Sequence, residues 1–361
     1  MSDRRRTREG AVRGLSEAKW GFVTRRLNEH VETREGATAG SSANAPKLGE
    51  FVVATVAALG EHEYLENPNG RRERMYPGDV IVGAWGNRYA TDFYEGYLPG
   101  AGDEVHLLTS GGLIGSVASA HTSKGAPTVL EVIGPLVDAD GRALSADDVA
   151  VSVSESARPE LGTVVVLGSA MNAGKTTTTS AIVRGLTRAG LKVGAGKVTG
   201  SGSGNDMWSY LDAGAAEIAD FVDFGMASTF GYPTDRLVST MYGIRDHLVS
   251  KGAEAVVLEI ADGILMEETR VLAAQLPVFA DAVVLAVGDA LGAMAGIKAL
   301  AAQEVTVRAV SGLVTASPLA TRELAAATGL TVLTPSDLVG GAALELLAER
   351  AADRIANLSP A

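Results

Sequence analysis

Apolar residues are not spread evenly along this chain. Beyond residue 158 they gather in short runs near 163–168, 191–196, 255–259, 282–287, 309–315 and 330–333, separated by stretches of helical composition. Short aliphatic runs alternating with helical segments predict βαβ units, hence a mostly parallel sheet with helices on its faces and an α/β fold. Between 47 and 157 the runs are shorter and are punctuated by Asn69-Gly70, Pro77-Gly78, Gly111-Gly112 and Asp140-Gly141. The segments 79–85 and 104–108 read there as strands, and the whole stretch as a small, mainly β domain. In residues 1–46, Trp20, Val23, Leu27 and Val31 fall at helical spacing between charged residues, and 36–46 is a small-residue linker. The expectation is a helical arm whose apolar stripe packs on the body or on a second subunit. Three regions follow: 1–46, 47–157 and 158–361.

The most specific signal joins the first of the later runs to what comes after it. Val164 to Leu167 form an apolar strand, residues 175–189 have helical composition, and Gly168-Ser-Ala-Met-Asn-Ala-Gly-Lys-Thr176 lies between them. A glycine loop from a buried strand into a helix N-terminus bares backbone amides to phosphate oxygens. Gly168, Ser169, Asn172, Ala173, Gly174, Lys175, Thr176 and Thr177 are therefore the candidate nucleotide-binding residues. Lys175 would reach the terminal phosphates and Thr176 would hold Mg²⁺. The strict pattern has glycine where Ser169 stands. A glycine turn with an incidental lysine would leave the placing of Lys175 and Thr176 unexplained.

Two further groups belong at the same edge of a parallel sheet, where open α/β folds bind ligands. Just past the second predicted strand the chain reads Gly194-Ala-Gly-Lys-Val-Thr-Gly-Ser-Gly-Ser-Gly-Asn-Asp206. Lys197 would neutralise an acceptor carboxylate or a transferring phosphoryl group, Ser201 would donate a hydrogen bond, and Asp206 would bind Mg²⁺ directly or through water. The plain alternative is a flexible Gly/Ser loop. The third predicted strand of this sheet ends in Glu259-Ile-Ala-Asp262, and a carboxylate at that place beside a phosphate loop is the usual second holder of the metal. Either Glu259 or Asp262 fills the position.

Composition narrows the class. The chain has 361 residues, 46% of them hydrophobic, with 43 glycines, which suits two globular domains. A formal charge of −12 argues against a general nucleic-acid binder. The arginine cluster from Arg4 to Arg8 reads as a solvated tail. No apolar run approaches the length of a membrane span, and the charged start lacks the core of a secretory signal, so a cytoplasmic location is expected. With no cysteine, thiolate metal sites and a cysteine nucleophile are excluded. His30, His62, His106, His121 and His247 are scattered without metal-ligand spacing. The aromatic segment 85–97, with Arg88 and Asp92, reads as packing, with a ligand cover as its alternative.

On these motifs, residues 163–335 resemble the dethiobiotin-synthetase-like branch of P-loop proteins, within the wider class that includes cobyrinate amidotransferase synthetase domains. The resemblance rests on Gly168–Thr176, on Lys197-Val-Thr-Gly-Ser-Gly202, on Asp206, on Glu259-Ile-Ala-Asp-Gly263 and on Val284-Leu-Ala-Val-Gly-Asp-Ala-Leu-Gly292. It implies that Thr176, Asp206 and Glu259 ligate Mg²⁺, and that Lys175 and Lys197 flank the phosphoryl group. It also implies that a small carboxylate or an amine-derived carbamate attacks ATP, or another nucleoside triphosphate, to give an acyl phosphate. A homo-oligomer acting on a small molecule, with neither nucleic acid nor membrane as partner, is the accompanying expectation. The chain departs from that family at Ala170, where a loop acid is usual, and at Gly312-Leu-Val-Thr-Ala-Ser317, where an adenine-reading asparagine is usual. Leu211-Asp-Ala-Gly214 with Asp220-Phe-Val-Asp-Phe-Gly225 is similar to P-loop proteins related to D-glutamate N-acetyltransferase. That likeness implies acyl transfer from acetyl coenzyme A, and a nucleotide-dependent switch or assembly role is the third reading.

Overall fold

The computed structural model describes residues 15–41, 45–152 and 158–347. The arginine cluster at 4–8, part of the small-residue linker and the expected boundary at 157 lie outside the described residues. The chain divides into two compact units. The first contains residues 1–152 together with 200–205 and 221–232, and the second contains 153–199, 206–220 and 233–361.

The first unit is built on five strands: β1 (Phe51–Ala58), β2 (Val80–Trp85), β3 (Val105–Leu107), β4 (Leu113–Ala120) and β5 (Thr128–Val137). They pair in the order β2-β1-β5-β3-β4, and β4 pairs back with β2 through Ala84↔Leu113 and Trp85↔Ile114, which closes a small barrel. Side chains alternate between two apolar clusters, as a strand's period of two requires. Val52, Ala54, Val56, Ile81, Leu107, Ile114 and Leu130 fill one, while Phe51, Val53, Val82, Ala84 and Leu113 join the other. That second cluster takes in Trp20, Val23 and Leu27, so these stripe residues of the expected arm are core residues.

The arm is not the single helix its spacing predicts. Lys19–Trp20 is a short strand parallel to β2, and the helical pieces after it are brief, at Phe22–Thr24, Arg25–Glu29 and Val31–Glu35. Gly21, between the strand and the first of these pieces, has an extended backbone, and a Cβ there would stand 2.8 Å from both Gly111 O and Gly112 Cα. Close backbone approach, rather than helical periodicity, sets the path. Glu66 of the same unit accepts hydrogen bonds from the Gly204 amide, at 3.1 and 3.2 Å, and from Ser203 Oγ at 3.2 Å, and Arg25 pairs with Asp223 at 2.8 Å. These contacts gather the 200–205 and 221–232 segments into the first unit.

The second unit is a six-stranded sheet: β6 (Gly162–Gly168), β7 (Val193–Lys197), β8 (Glu217–Asp220), β9 (Ala255–Glu259), β10 (Ala282–Ala286) and β11 (Ala309–Ser311). The order is β8-β7-β9-β6-β10-β11 and every pairing is parallel. Helices connect the strands: α1 (Lys175–Arg188), α2 (Asn205–Asp212), α3 (Thr234–Ser250), α4 (Ala290–Ala301) and α5 (Pro318–Thr328) among them. β6 and β9 are buried along their whole length, which is why they read as unbroken apolar runs. The expected strand at 330–333 is reduced to a single bridge, Val310↔Val332, whereas β8 and α2 were not foreseen. No helix among the described residues is long and apolar enough to cross a membrane.

Candidate functional site

All strands of the second unit point the same way, so the segments that follow β6, β7 and β9 meet at one edge of its sheet. β6 lies between β9 and β10, and Lys197, the last residue of β7, stands in register with Glu259, the last residue of β9. The sequence signals at 168–177, 197 and 259 are therefore brought together by topology.

The loop after β6 turns through positive φ into a helix start. Asn172 and Gly174 have φ of +61° and +93°, and α1 begins at Lys175 with no side chain capping it. The first turn of α1 closes with the Thr178 amide donating to Gly174 O at 3.0 Å. The amides of Lys175, Thr176 and Thr177 thus precede any intrahelical acceptor, and with the helix dipole they favour an anion. Lys175 folds back over the loop: its Nζ donates to Ala170 O at 3.0 Å and to Asp262 O at 2.5 Å, and the residue is 6% exposed. Gly168 makes room for it, because a Cβ there would meet the Lys175 side chain at 2.7 Å. Burial holds the lysine's pKa below the ordinary lysine value, against the opposing pull of Glu259 and Asp262.

Backbone hydrogen bonds from neighbouring segments hold the loop in place. Ser169 N donates to Ala286 O at 2.9 Å, and Leu313 N donates to Ala173 O at 2.9 Å. Gly312, next to Leu313, has φ of +101°, and a Cβ on it would stand 2.4 Å from Ala173 O and 2.5 Å from Val287 N. Gly312→Ala is expected to cost about 2–4 kcal/mol, from positive-φ strain and from overpacking against backbone that has no room to move. Urea unfolding measures it, and a midpoint equal to that of the wild type would show that this loop contact is not held as described.

The acidic corner is built from four elements, α1, α2, β7 and β9. Thr176 Oγ1, at the start of α1, donates to Asp206 Oδ1 at 3.0 Å and to Glu259 Oε1 at 3.4 Å. Lys197 Nζ is ion-paired with the other oxygen of Asp206. Tyr210, one turn beyond Asp206 on α2, donates its hydroxyl to Glu259 Oε2 at 2.6 Å. Burial alone would lower the pKa of Lys197, but the charges of Asp206 and Glu259 outweigh it and raise the pKa. In Asp206 burial pushes up and Lys197 more than compensates, so its carboxyl lies below the usual range. In Glu259 burial and the Asp206 charge together push the carboxyl above the usual range.

Among the described residues, no group of three or more His, Cys, Asp or Glu side chains converges as a metal cage. A hexacoordinate Mg²⁺ needs no such cage, since one or two carboxylates, phosphate oxygens and water satisfy it. Neighbouring ligand oxygens around it stand about 2.9 Å apart, for bonds of about 2.0–2.1 Å. Thr176 Oγ1 stands at that spacing from Asp206 Oδ1, at 3.0 Å, and about half an ångström beyond it from Glu259 Oε1, at 3.4 Å, and all three are hard oxygen donors.

Of the sequence candidates, Lys175, Thr176, Lys197, Asp206 and Glu259 form one connected cluster. Asp262 enters it through its main-chain oxygen. Ser201 belongs to the first unit, where it forms an isolated bridge with Ser228. Tyr210 is the participant that sequence reasoning missed. Its signal was the spacing of four residues from Asp206, which puts both on one face once 205–212 is helical. An open groove of about 540 Å³ runs from Thr176 and Thr177 along α1 past Ser180 and Arg184, with Asp212 of α2 and Pro335 also in its lining.

No protein-family model matches the chain, and no curated protein is detectably similar to it. Several solved structures are similar over part of their length. The signal recognition particle 54 kDa protein from Aeropyrum pernix K1, in complex with GDP, matches 57% of this chain and 51% of its own, at 20% identity and a TM-score of 0.36. The signal recognition particle receptor FtsY from Elizabethkingia anophelis matches 53% of this chain and 57% of its own, at 18% identity and a TM-score of 0.32. The kinase domain of the Escherichia coli tyrosine kinase ETK matches 42% of this chain and 66% of its own, at 12% identity and a TM-score of 0.33. The chain thus spans about half the length of the first of these, and likeness at this level extends to neither substrate nor partner. The second unit's own geometry is a parallel α/β sheet whose central strand passes through a glycine loop into a lysine-threonine helix start.

Proposed function

We propose that the chain binds ATP, or another nucleoside triphosphate, with Mg²⁺, and transfers its terminal phosphoryl group to a small carboxylate or an amine-derived carbamate. The observation that supports this most is the pair of lysines, Lys175 buried and Lys197 half-buried, that join the cluster of Thr176, Asp206 and Glu259 oxygens. A switch that only hydrolyses nucleotide has no evident need for the second lysine. An acceptor that is itself an anion does, because its charge must be offset before it can approach a phosphate.

In this reading the amides at the start of α1 hold the phosphate chain and Lys175 turns from Ala170 O and Asp262 O to the terminal phosphate. Thr176, Asp206 and Glu259 would hold the cation, which neutralises charge on the phosphate oxygens. Lys197 holds the acceptor in line. An acceptor oxygen then bonds to the terminal phosphorus, the bond from that phosphorus to the bridging oxygen breaks, and the nucleoside diphosphate leaves with the electron pair. The product is an acyl or carbamoyl phosphate.

With the true acceptor, hydroxylamine is expected to trap a hydroxamate, and oxygen-18 from the acceptor carboxylate to appear in the released phosphate. Lys197→Ala should remove the trapped product while leaving nucleotide affinity within about a factor of three, as expected for a residue that acts on the acceptor. Acceptor-dependent consumption of acetyl coenzyme A without formation of ADP would instead select acyl transfer. Nucleotide-dependent partner binding with slow hydrolysis and no acceptor would select the switch.

A further inference from the structure

Tyr210 is out of place as a mere core residue. It is fully buried within an apolar cluster of the second unit, in company with Val164, Val166, Ile182, Met207 and Val257. A phenylalanine would fill that space without a hydroxyl to desolvate, and a buried hydroxyl is costly unless it is hydrogen-bonded. Its hydroxyl is spent on Glu259 Oε2 at 2.6 Å, which leaves Oε1 toward Thr176 Oγ1. The same helix carries Asp206 four residues earlier, with Oδ1 on Thr176 and Oδ2 on Lys197. One face of α2 therefore sets both carboxylates of the corner, one directly and one through the tyrosine.

We propose that Tyr210 is the positioning residue of the cation site: its hydroxyl locks the Glu259 carboxylate so that Oε1, not Oε2, is presented beside Thr176 and Asp206. This rests on the Mg²⁺-nucleotide reading above. Groups that orient metal-binding carboxylates by hydrogen bonds typically change metal affinity by about 10–100-fold when removed.

The test is Tyr210→Phe, compared with the wild type and with Glu259→Gln in both backgrounds. Three quantities are measured: the melting temperature, nucleotide affinity in EDTA, and the affinity for Mn²⁺ in the presence of nucleotide by electron paramagnetic resonance. The expected result is a folded variant with a modestly lower melting temperature, because Glu259 Oε2 loses its buried donor, and unchanged metal-free affinity, with Mn²⁺ affinity about tenfold weaker or worse. Once Glu259 is glutamine, the tyrosine substitution should change Mn²⁺ affinity no further, because the two act as one unit. Unchanged Mn²⁺ affinity in Tyr210→Phe would overturn the proposal, and so would loss of fold, which would assign the hydroxyl to stability. If the wild type itself bound no Mn²⁺ with nucleotide, the Mg²⁺-nucleotide reading would fail, which is a different outcome from a wild type that binds and a variant that binds equally.

Discussion

Lys175→Ala is expected to reduce nucleotide-dependent turnover by about a thousandfold, the scale seen when a preorganised group facing developing charge is removed. The lysine is the loop's cation, and Gly168 is shaped to let it lie across the strand end. Its two present partners are main-chain oxygens, of Ala170 and Asp262, so the fold does not depend on a charged partner being kept. The melting temperature without ligand should therefore move little, while the upward shift that nucleotide gives the wild type should disappear. Lys175→Arg should fail as well, since a planar, forked guanidinium does not replace a compact ammonium in a site only 6% exposed. Retention of the nucleotide-induced shift in the alanine variant would contradict the assignment.

Asp206→Asn and Glu259→Gln are each expected to lower metal-dependent turnover by about a hundredfold or more, because each removes a negative oxygen from the proposed hard-cation site. Asp206→Asn should be the worse for stability, since it leaves the Lys197 ammonium without its ion-pair partner. Asp262→Asn should do much less, and the structure supplies the reason. The Asp262 atom that contacts Lys175 is its carbonyl oxygen, which the substitution retains. Steady-state rates across a Mg²⁺ titration measure all three, and a loss confined to the Asp262 variant would place the cation elsewhere.

The strand, loop and helix from 162 to 188 were legible because everything that fixes them is local: an apolar run buried on both faces, asparagine or glycine at the loop positions with positive φ, and a helix start. Glu259 was legible as the end of an equally apolar strand. The helix α2 was not, because its N-terminal neighbours Gly202, Ser203 and Gly204 read as an open linker. What closes that stretch is Glu66, more than a hundred residues away in sequence, on the Gly204 amide. β8 escaped notice because Glu217-Ile-Ala-Asp220 is short and half polar, and the arm misled because a strand pairing and a backbone contact at Gly21 override its helical spacing. Tyr210 was hidden for the same reason as α2: without the helix, its spacing from Asp206 carries no meaning.

The central claim is that the loop after β6 holds a nucleoside triphosphate together with a cation at Thr176, Asp206 and Glu259. Calorimetric titration of the full chain with ATP and with GTP, each with Mg²⁺ and again in EDTA, tests it most directly. The account predicts one site per chain for at least one of the two nucleotides, with affinity falling when the cation is removed and lost in Lys175→Ala. Absence of binding heat and of any nucleotide-induced thermal shift in the wild type, with either nucleotide in the presence of Mg²⁺, would contradict it.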